Sequence, residues 1–458
     1  YGISSLSVLR RYFVLKDKEF IRKFIRLTLP FSIQFLISST VNLIDVMMIG
    51  KLGDAQIAAA GAANQIFFLL TIIQFGISSG ASVFIAQYWG AGENENIKKV
   101  LGLIYVLSGG VSSLFTCLGL FLPEQVIRFY IHDADAVKYG SSYLFVVSIS
   151  YIITAISTSL ATVCRCTGNV GLPTVAGFIS MATNIVGNAI LIFGLFGAPA
   201  LGLTGAAIAT VIARLIEMLI ILITVYKKKL IGAANVGELT GWKRGFVKEY
   251  FSKVAPVLFN EIAWSVGTSL YMVAFGLMGT STVAAVQIAS AVAQILFVFV
   301  RGAGNATAVM LGNTIGEGRE EDAKRDSRRF LVILPILAAF VGIILIISRP
   351  LLLSIYEVSA ETMESVRLLL FLHAILFIPK AFSVVMVVGI LRSGGDTTFA
   401  CFLDILPVWL FSVPFGFIGV KLGFPLWIVF LLVNAEDMIK PIWGIPRVLS
   451  DKWIHNLT

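Results

Sequence analysis

Charge is what this sequence has least of. Asp, Glu, Lys and Arg make up 13% of its 458 residues, against 57% hydrophobic residues and a mean hydropathy of +0.91. Soluble domains carry roughly 25% charge, so a soluble globular fold is excluded. Histidine is almost missing, with three in the chain. No paired metal-binding histidines, nucleophile elbow or Walker lysine loop occurs, so neither an enzyme nor a cofactor is expected. The four cysteines are Cys117, Cys164, Cys166 and Cys401. The Cys164-Arg165-Cys166 spacing is too short for a zinc site without further ligands, and a disulfide there would face a reducing cytosol. All four are expected to be small membrane residues. A cleavable signal peptide is not expected, since the first 26 residues are basic and amphipathic with no apolar core.

Long apolar runs are what the chain has instead. About twelve segments reach the roughly 20 residues needed to cross the hydrocarbon. They fall at 27–49, 56–88, 99–121, 140–163, 173–196, 204–226, 254–278, 284–311, 330–348, 368–391, 399–420 and 426–444. In lipid such segments must be helices, because a helix satisfies its own backbone hydrogen bonds. The second and eighth exceed one perpendicular crossing and are expected to tilt or extend into the cytoplasm. The fold class is an all-α polytopic membrane protein of about 12 transmembrane helices.

The formal net charge of +9 is unevenly placed. Basic residues cluster before the first span (Arg10, Arg11, Lys16, Lys18, Arg22, Lys23, Arg26), between the sixth and seventh (Lys227 to Lys229, Lys243, Arg244, Lys248, Lys253), and after the eighth (Arg319, Lys324, Arg325, Arg328, Arg329). Twelve crossings put all three clusters on one side, which the positive-inside rule makes the cytoplasm. The expectation is a multi-pass protein of the cell inner (plasma) membrane with both termini cytoplasmic. Such clusters suit anionic headgroups, so membrane lipids are expected partners and nucleic acid is not.

The chain also repeats itself. Pro30, Gly50, Gly53, Ala58, Ala59, Gly76, Gly90 and Gly92 recur 226 residues later as Pro256, Gly276, Gly279, Ala284, Ala285, Gly302, Gly316 and Gly318. The run from Cys164 to Asn169 returns as Leu391 to Asp396 at an offset of 227. Six helices per copy is an even number, so the copies share one orientation and form two lobes related by an internal parallel repeat. The expected organisation is a basic amphipathic N-terminus at 1–26, an N-lobe at 27–226, a cytoplasmic linker at 227–253, a C-lobe at 254–444 and a cytoplasmic tail at 445–458. Paired bundles facing a central cleft are how many transporters alternate their access, and one monomer suffices for that.

Within the spans, Pro30 and Pro256 are expected at helix starts, where a missing N–H is harmless. Pro379 and Pro407, unmatched in the first copy, are expected to kink their helices. Small-residue faces at 58–63 and 205–209 are expected to let helices pack closely.

Charge inside the hydrocarbon costs about 2.5–3.5 kcal/mol per group on insertion scales, so each such residue needs a reason. Asp45, near the end of the first span, is the sharpest case, because its repeat counterpart is the neutral Tyr271. It could exchange a proton or, with oxygen-bearing neighbours, hold Na⁺. Asn184 and Asn188 stand at i and i+4 in the fifth span and so share one helix face, with Thr183 and Thr204 as possible neighbours. Glu261 is the second lobe's own intramembrane acid, matched by Phe35 in the first copy. Asp404, Lys380 and Arg301 read as structural pairing candidates, Arg214 and Glu217 as a pair three apart, and Glu436 and Asp437 as near water because Asn434 and Lys440 flank them. Gln34, Tyr271, Asn260 and Lys380 are candidates to line a substrate cavity. His132 is placed in an external loop and His455 in the tail, while His373 reads as a packing residue in the tenth span.

The combined pattern resembles the MATE (multidrug and toxic compound extrusion) transporters, of the bacterial NorM/DinF-like kind. It runs Pro30…Asp45…Gly50-x-x-Gly53, then Gln87-x-x-Gly90-Ala91-Gly92, then Asn184-x-x-x-Asn188 before Leu201-Gly202-x-x-Gly205-Ala206-Ala207. In the second half it continues with Pro256-x-x-x-Asn260-Glu261-x-x-Trp264 and the stretch from Gly389 to Thr397. The resemblance implies antiport, in which H⁺ or Na⁺ enters and drives export of organic, often cationic, compounds or other drugs. It implies that Asp45 is the coupling acid, with Asn184 in the same cluster. Asn188 stands where some members have an acid, which leaves Asp45 as that cluster's sole carboxylate. Glu261 matches the seventh-helix acid of a second-lobe cation site. The tenth-helix acid of that site falls near Lys380, so a Lys380–Glu261 pair is the expected replacement. The alternative reading is a flippase for lipid-linked oligosaccharide or polysaccharide, which calls for a cluster of buried arginines; here Arg214 and Arg301 are the main candidates. A membrane-embedded lipid enzyme would need convergent acids or histidines at one membrane face.

Overall fold

A computed structural model of the chain describes residues 17–131, 133–354 and 359–458, which leaves His132, Arg10, Arg11 and Lys16 outside the described residues. Helices make up nearly all of the regular structure, with one isolated bridge between Gly395 and Ile454. The first half contains α1 (Lys18–Ile49), α2 (Asp54–Ala91), α3 (Asn94–Phe121), α4 (Pro123–Arg128), α5 (Ala134–Val147), α6 (Ile149–Cys166), α7 (Gly171–Phe193), α8 (Gly202–Lys227) and α9 (Val236–Thr240). The second half contains α10 (Arg244–Leu277), α11 (Thr280–Gly316), α12 (Glu320–Leu353), α13 (Ala360–Val384), α14 (Thr397–Pro407), α15 (Val413–Lys421), α16 (Leu426–Val433) and α17 (Ala435–Leu449). Two compact units result. The first is Ile33–Trp89 with Glu93–Val254; the second is 17–32 with Gly90–Gly92 and Ala255–Thr458.

Ten helices among the described residues are long and apolar enough to cross a membrane. The expected seventh and twelfth crossings are helical too, but fall short of that mark for a chemical reason. Asn260 and Glu261 interrupt the apolar run of α10, and the twelfth is divided at Asn434 into α16 and α17, with Glu436, Asp437 and Lys440 on the latter. The fourth is also two helices, α5 and α6, broken at Ser148. The Ser148 carbonyl at the break accepts both the Tyr151 N–H at 3.1 Å and the Thr116 hydroxyl at 2.9 Å.

Pro30 and Pro256 do not begin their helices. Both lie well inside α1 and α10, because the basic segments ahead of them are helical. In the second unit that extension is held by Phe20 and Phe24 against Phe330, and by Arg329, which lies over the Phe20 ring and meets Asp17 at 3.1 Å. Pro379 and Pro407 are each followed by a π-helical stretch, Val385–Leu391 and Val408–Ser412. These wide turns are where each helix absorbs its irregularity, and π-turns recur at functional sites.

The segment expected as a cytoplasmic linker, 227–253, belongs to the first unit. The Trp242 indole donates to the Lys99 carbonyl at 3.0 Å, and Lys98 meets Glu238 at 2.5 Å, which holds that exposed carboxyl below the usual carboxylate range. Tyr250 is fully buried and packs on Phe84. The tail is likewise docked: Trp453 is fully buried against Gly394, the His455 N–H donates to the Gly394 carbonyl at 2.7 Å, and Arg447 meets Asp396 at 2.8 Å.

In the first unit the small-residue faces behave as their sequence suggests. Ala59, Ala60, Ala62, Ala63, Ala206 and Ala207 belong to one buried cluster with Tyr143 and Tyr151. Gly205 lets α8 approach the Leu191 carbonyl of α7 so closely that a Cβ there would overlap it, whereas Gly61 faces open space. Such close approach is how helices associate in lipid, where apolar burial gives no net drive. Gly205→Val is therefore expected to lower the thermal unfolding midpoint of the detergent-purified protein, by about 1–3 kcal/mol of overpacking. Gly61→Ala should leave it unchanged; equal midpoints for the two variants would refute the close-approach account.

Candidate functional site

Two polar constellations lie among the apolar helices, one in each unit. In the first, α1 brings Asp45 to the face of α7 that carries Asn184 and Asn188. The Asn188 amide nitrogen donates to Asp45 Oδ1 at 2.6 Å and to Asn184 Oδ1 at 3.3 Å. Only a nitrogen can donate to both, so those bonds fix which way the amide points. Asn184 in turn donates to the Thr210 hydroxyl on α8 at 3.2 Å. Asn188 is fully buried, and its Oδ1 has no hydrogen-bond partner among the described residues. The Arg214 guanidinium is near enough for its charge to act on Asp45, but its ion pair is with Glu217 at 3.2 Å, as the spacing of three suggests. The neighbour expected at Thr183 is absent from this chain of bonds, since that exposed hydroxyl donates to Ile179 of its own helix.

Gln34, a cavity candidate, is tied down inside the same unit. Its amide nitrogen donates to the Thr174 hydroxyl at 2.8 Å, and its oxygen accepts from Arg165 at 3.3 Å.

The second unit is built from opposite charges. Lys440 on α17 donates to Asp404 Oδ1 on α14 at 2.7 Å and to Glu436 Oε2, one turn back on its own helix, at 2.6 Å. Asn260 donates to the other Asp404 oxygen at 2.9 Å, and the Tyr271 hydroxyl donates to the other Glu436 oxygen at 3.3 Å. The Glu436 N–H donates to the Ser412 hydroxyl, at the end of the second π-stretch, at 2.9 Å. The expectation that Glu436 and Asp437 stand near water is overturned: Glu436, Asp437 and Lys440 are all buried, because the charges close on one another.

Glu261 does not pair with Lys380. It meets Arg392 at 2.7 Å, and Lys380 lies 4.0 Å from Asp437 instead. The first π-stretch ends at Leu391 and delivers Arg392 into the interior, where it is 3% exposed. Arg301, expected as a buried partner, is exposed, with its charge acting on Glu261. His373 is buried edge-on to Phe430 at 4.9 Å, a packing position, although its Nε2 has no hydrogen-bond partner. Thr210, Arg165, Arg392 and Lys440 are participants that sequence reasoning missed. The Glu436–Lys440 spacing of four in an apolar helix was the available signal for the last of these.

Comparison with known proteins follows the duplication. The MatE family model matches residues 30–190 and again 256–418. The chain is 24% identical over 450 residues to the uncharacterized transporter YisQ of Bacillus subtilis strain 168, covering 96% of each chain. It is 27% identical over 427 residues to the probable multidrug resistance protein NorM of Bradyrhizobium diazoefficiens, covering 87% of this chain and 89% of that one. A solved structure described as the outward-facing conformation of a multidrug resistance MATE family transporter of the MOP superfamily has the same fold. Its TM-score is 0.84 at 21% identity, over 94% of this chain and 96% of that one.

The buried pair predicts its own signature. Glu261→Gln leaves the Arg392 charge without its carboxylate and is expected to cost about 3–5 kcal/mol, read as a lower unfolding midpoint. Replacing both partners, by Glu261→Leu with Arg392→Met, should recover much of that loss. A double variant no more stable than Glu261→Gln would contradict the pairing.

Proposed function

Because this chain belongs to the MATE family and is a multi-pass membrane transporter, not an enzyme, we propose that it is a secondary active multidrug efflux transporter. Entry of H⁺ or Na⁺ drives the export of organic, often cationic, compounds by alternating access of two lobes. The protein sits in the cell inner membrane with its termini and its basic clusters on the cytoplasmic side. The names of the relatives support the cargo class, and the observation that carries the coupling is Asp45 held by Asn188 within apolar helices.

The chemistry follows from that contact. An ionised Asp45 accepts from the Asn188 amide nitrogen; a protonated one becomes a donor. The Asn188 Oδ1, buried without a partner, is an acceptor to which that proton can be given once the amide turns. The same oxygen and the Asp45 carboxylate together suit Na⁺, a hard cation that prefers oxygen. Either event removes one charge from the helix interface of α1, α7 and α8, and the rearrangement that follows favours release of substrate outward. Substrate and cation thus compete through the conformations each one stabilises.

Flipping of lipid-linked oligosaccharide, the other reading of this architecture, calls for clustered arginines free to meet pyrophosphate. Arg392 and Arg214 instead face carboxylates of their own unit at 2.7 and 3.2 Å.

The test is efflux of a fluorescent organic cation from vesicles under separately imposed H⁺ and Na⁺ gradients. Wild type is expected to respond to at least one gradient. Asp45→Asn should fold and bind substrate yet lose uphill export under both, and undiminished gradient-driven efflux by that variant would sink the assignment.

A further inference from the structure

The Lys440 ammonium is held as a bound ion would be. It lies between two carboxylates on different helices, 2.7 Å from Asp404 and 2.6 Å from Glu436, and the residue is 2% exposed. The two acids would repel each other strongly at low dielectric if nothing stood between them. The two carboxylates offer more oxygens than the lysine uses. Asp404 Oδ2 and Glu436 Oε1 are steadied by Asn260 and Tyr271, and the Asn260 Oδ1, on a residue 1% exposed and bonded through its nitrogen to Asp404, has no hydrogen-bond partner among the described residues. Of the neighbouring acids, Glu261 meets Arg392 at 2.7 Å and Asp437 lies 4.0 Å from Lys380.

We propose that this is a binding site for a monovalent cation, formed by Asp404, Glu436 and Asn260, and that Lys440 fills it as a cation tethered to the chain. Two carboxylates with neutral oxygens are hard-ligand chemistry that accepts an alkali ion or a primary ammonium alike. The wild-type second unit therefore has no vacancy for a free ion at this point, and removing the lysine side chain creates one. The proposal is independent of how Asp45 is used, since every group it names belongs to the second unit.

The experiment measures thermal unfolding of the purified full chain at fixed ionic strength in NaCl, methylammonium chloride or choline chloride. Lys440→Ala should unfold several degrees below wild type in choline. Na⁺ or methylammonium should raise its midpoint saturably, because a ligand that binds the native state alone stabilises by mass action. Wild type should show no difference among the three salts through this site, nor should the triple variant Lys440→Ala, Asp404→Asn, Glu436→Gln, in which the site carries no charge. If Lys440→Ala cannot be recovered in choline, its recovery when methylammonium is present throughout purification supports the proposal as directly. A Lys440→Ala protein as stable as wild type in choline, or indifferent to both small cations, overturns it. So does failure of recovery in every salt while the triple variant folds, or a triple variant that still responds.

Discussion

A charge placed in hydrocarbon must find its partner within the protein, and this requirement governs both units more than any apolar contact does. The first unit meets it with neutral dipoles. Asp45 is surrounded by amide and hydroxyl groups, Asn188, Asn184 and Thr210, each passing one bond to the next. The second meets it with opposite charge, as Glu261 with Arg392 and as Asp404 and Glu436 around Lys440. The two solutions differ in what they permit. An acid steadied by amides can lose its charge and keep hydrogen-bonded neighbours, since an amide both donates and accepts. An acid paired one-to-one with a buried cation, as Glu261 is with Arg392, cannot, because neutralising one partner leaves the other uncompensated. A site whose charge must change in each transport cycle therefore belongs with the amides.

The backbone obeys the same rule. Every interruption of a spanning helix leaves a donor or acceptor that lipid will not satisfy, so interruptions survive only where the protein supplies a partner. The fourth crossing is interrupted at Ser148, whose carbonyl accepts from both the Tyr151 N–H and the Thr116 hydroxyl. The π-stretch before Arg392 keeps its wide-turn bonding to the end, where the Arg392 N–H donates to the Val387 carbonyl at 3.3 Å. That stretch also aims the arginine at Glu261, so an irregular turn and a buried ion pair are one structural device. The docked tail extends it, since Trp453 and His455 pack on Gly394, two residues past that arginine.

What could be read from the sequence was whatever one helix or one repeat expresses by itself. Asn184 and Asn188 share a face by spacing alone, Arg214 and Glu217 pair by spacing alone, and Gly205 announces a close approach. Asp45 stood out because its repeat counterpart, Tyr271, carries no charge at neutral pH. What could not be read depends on which distant helix supplies the partner. Lys440 beside Asn434 looked like a sign of water, yet it is buried by an acid on α14 that no local pattern connects to it. The Lys380–Glu261 pair was implied by the family resemblance, in which a tenth-helix acid falls near Lys380; only the π-stretch, which has no sequence period of its own, places Arg392 at Glu261 instead. How the linker packs could not be read for another reason. Its polar composition is real, but Trp242 and Tyr250 bring enough apolar and hydrogen-bonding surface to fold it onto α3 and α2.

The repeat shows how such a division of labour can arise. Arg165 and Arg392 occupy the same position in the two copies, and each bonds to a residue near the start of its copy. In the first copy that residue is Gln34, an amide, at 3.3 Å; in the second it is the acid Glu261, one place after Asn260, which is the counterpart of Gln34. The arginine and its reach are kept while the charge of its partner is changed. The same change, in the opposite sense, separates Asp45 from Tyr271. Each copy thus holds a carboxylate where the other holds a neutral group, at two places on one scaffold. The small residues that bring helices together, such as Ala59 and Gly205, lie on other helices than Asp45 and Glu261, so the acids differ between the copies at positions that do not carry those close approaches. The difference decides which bundle holds its acid against amides and which holds its acids against buried cations.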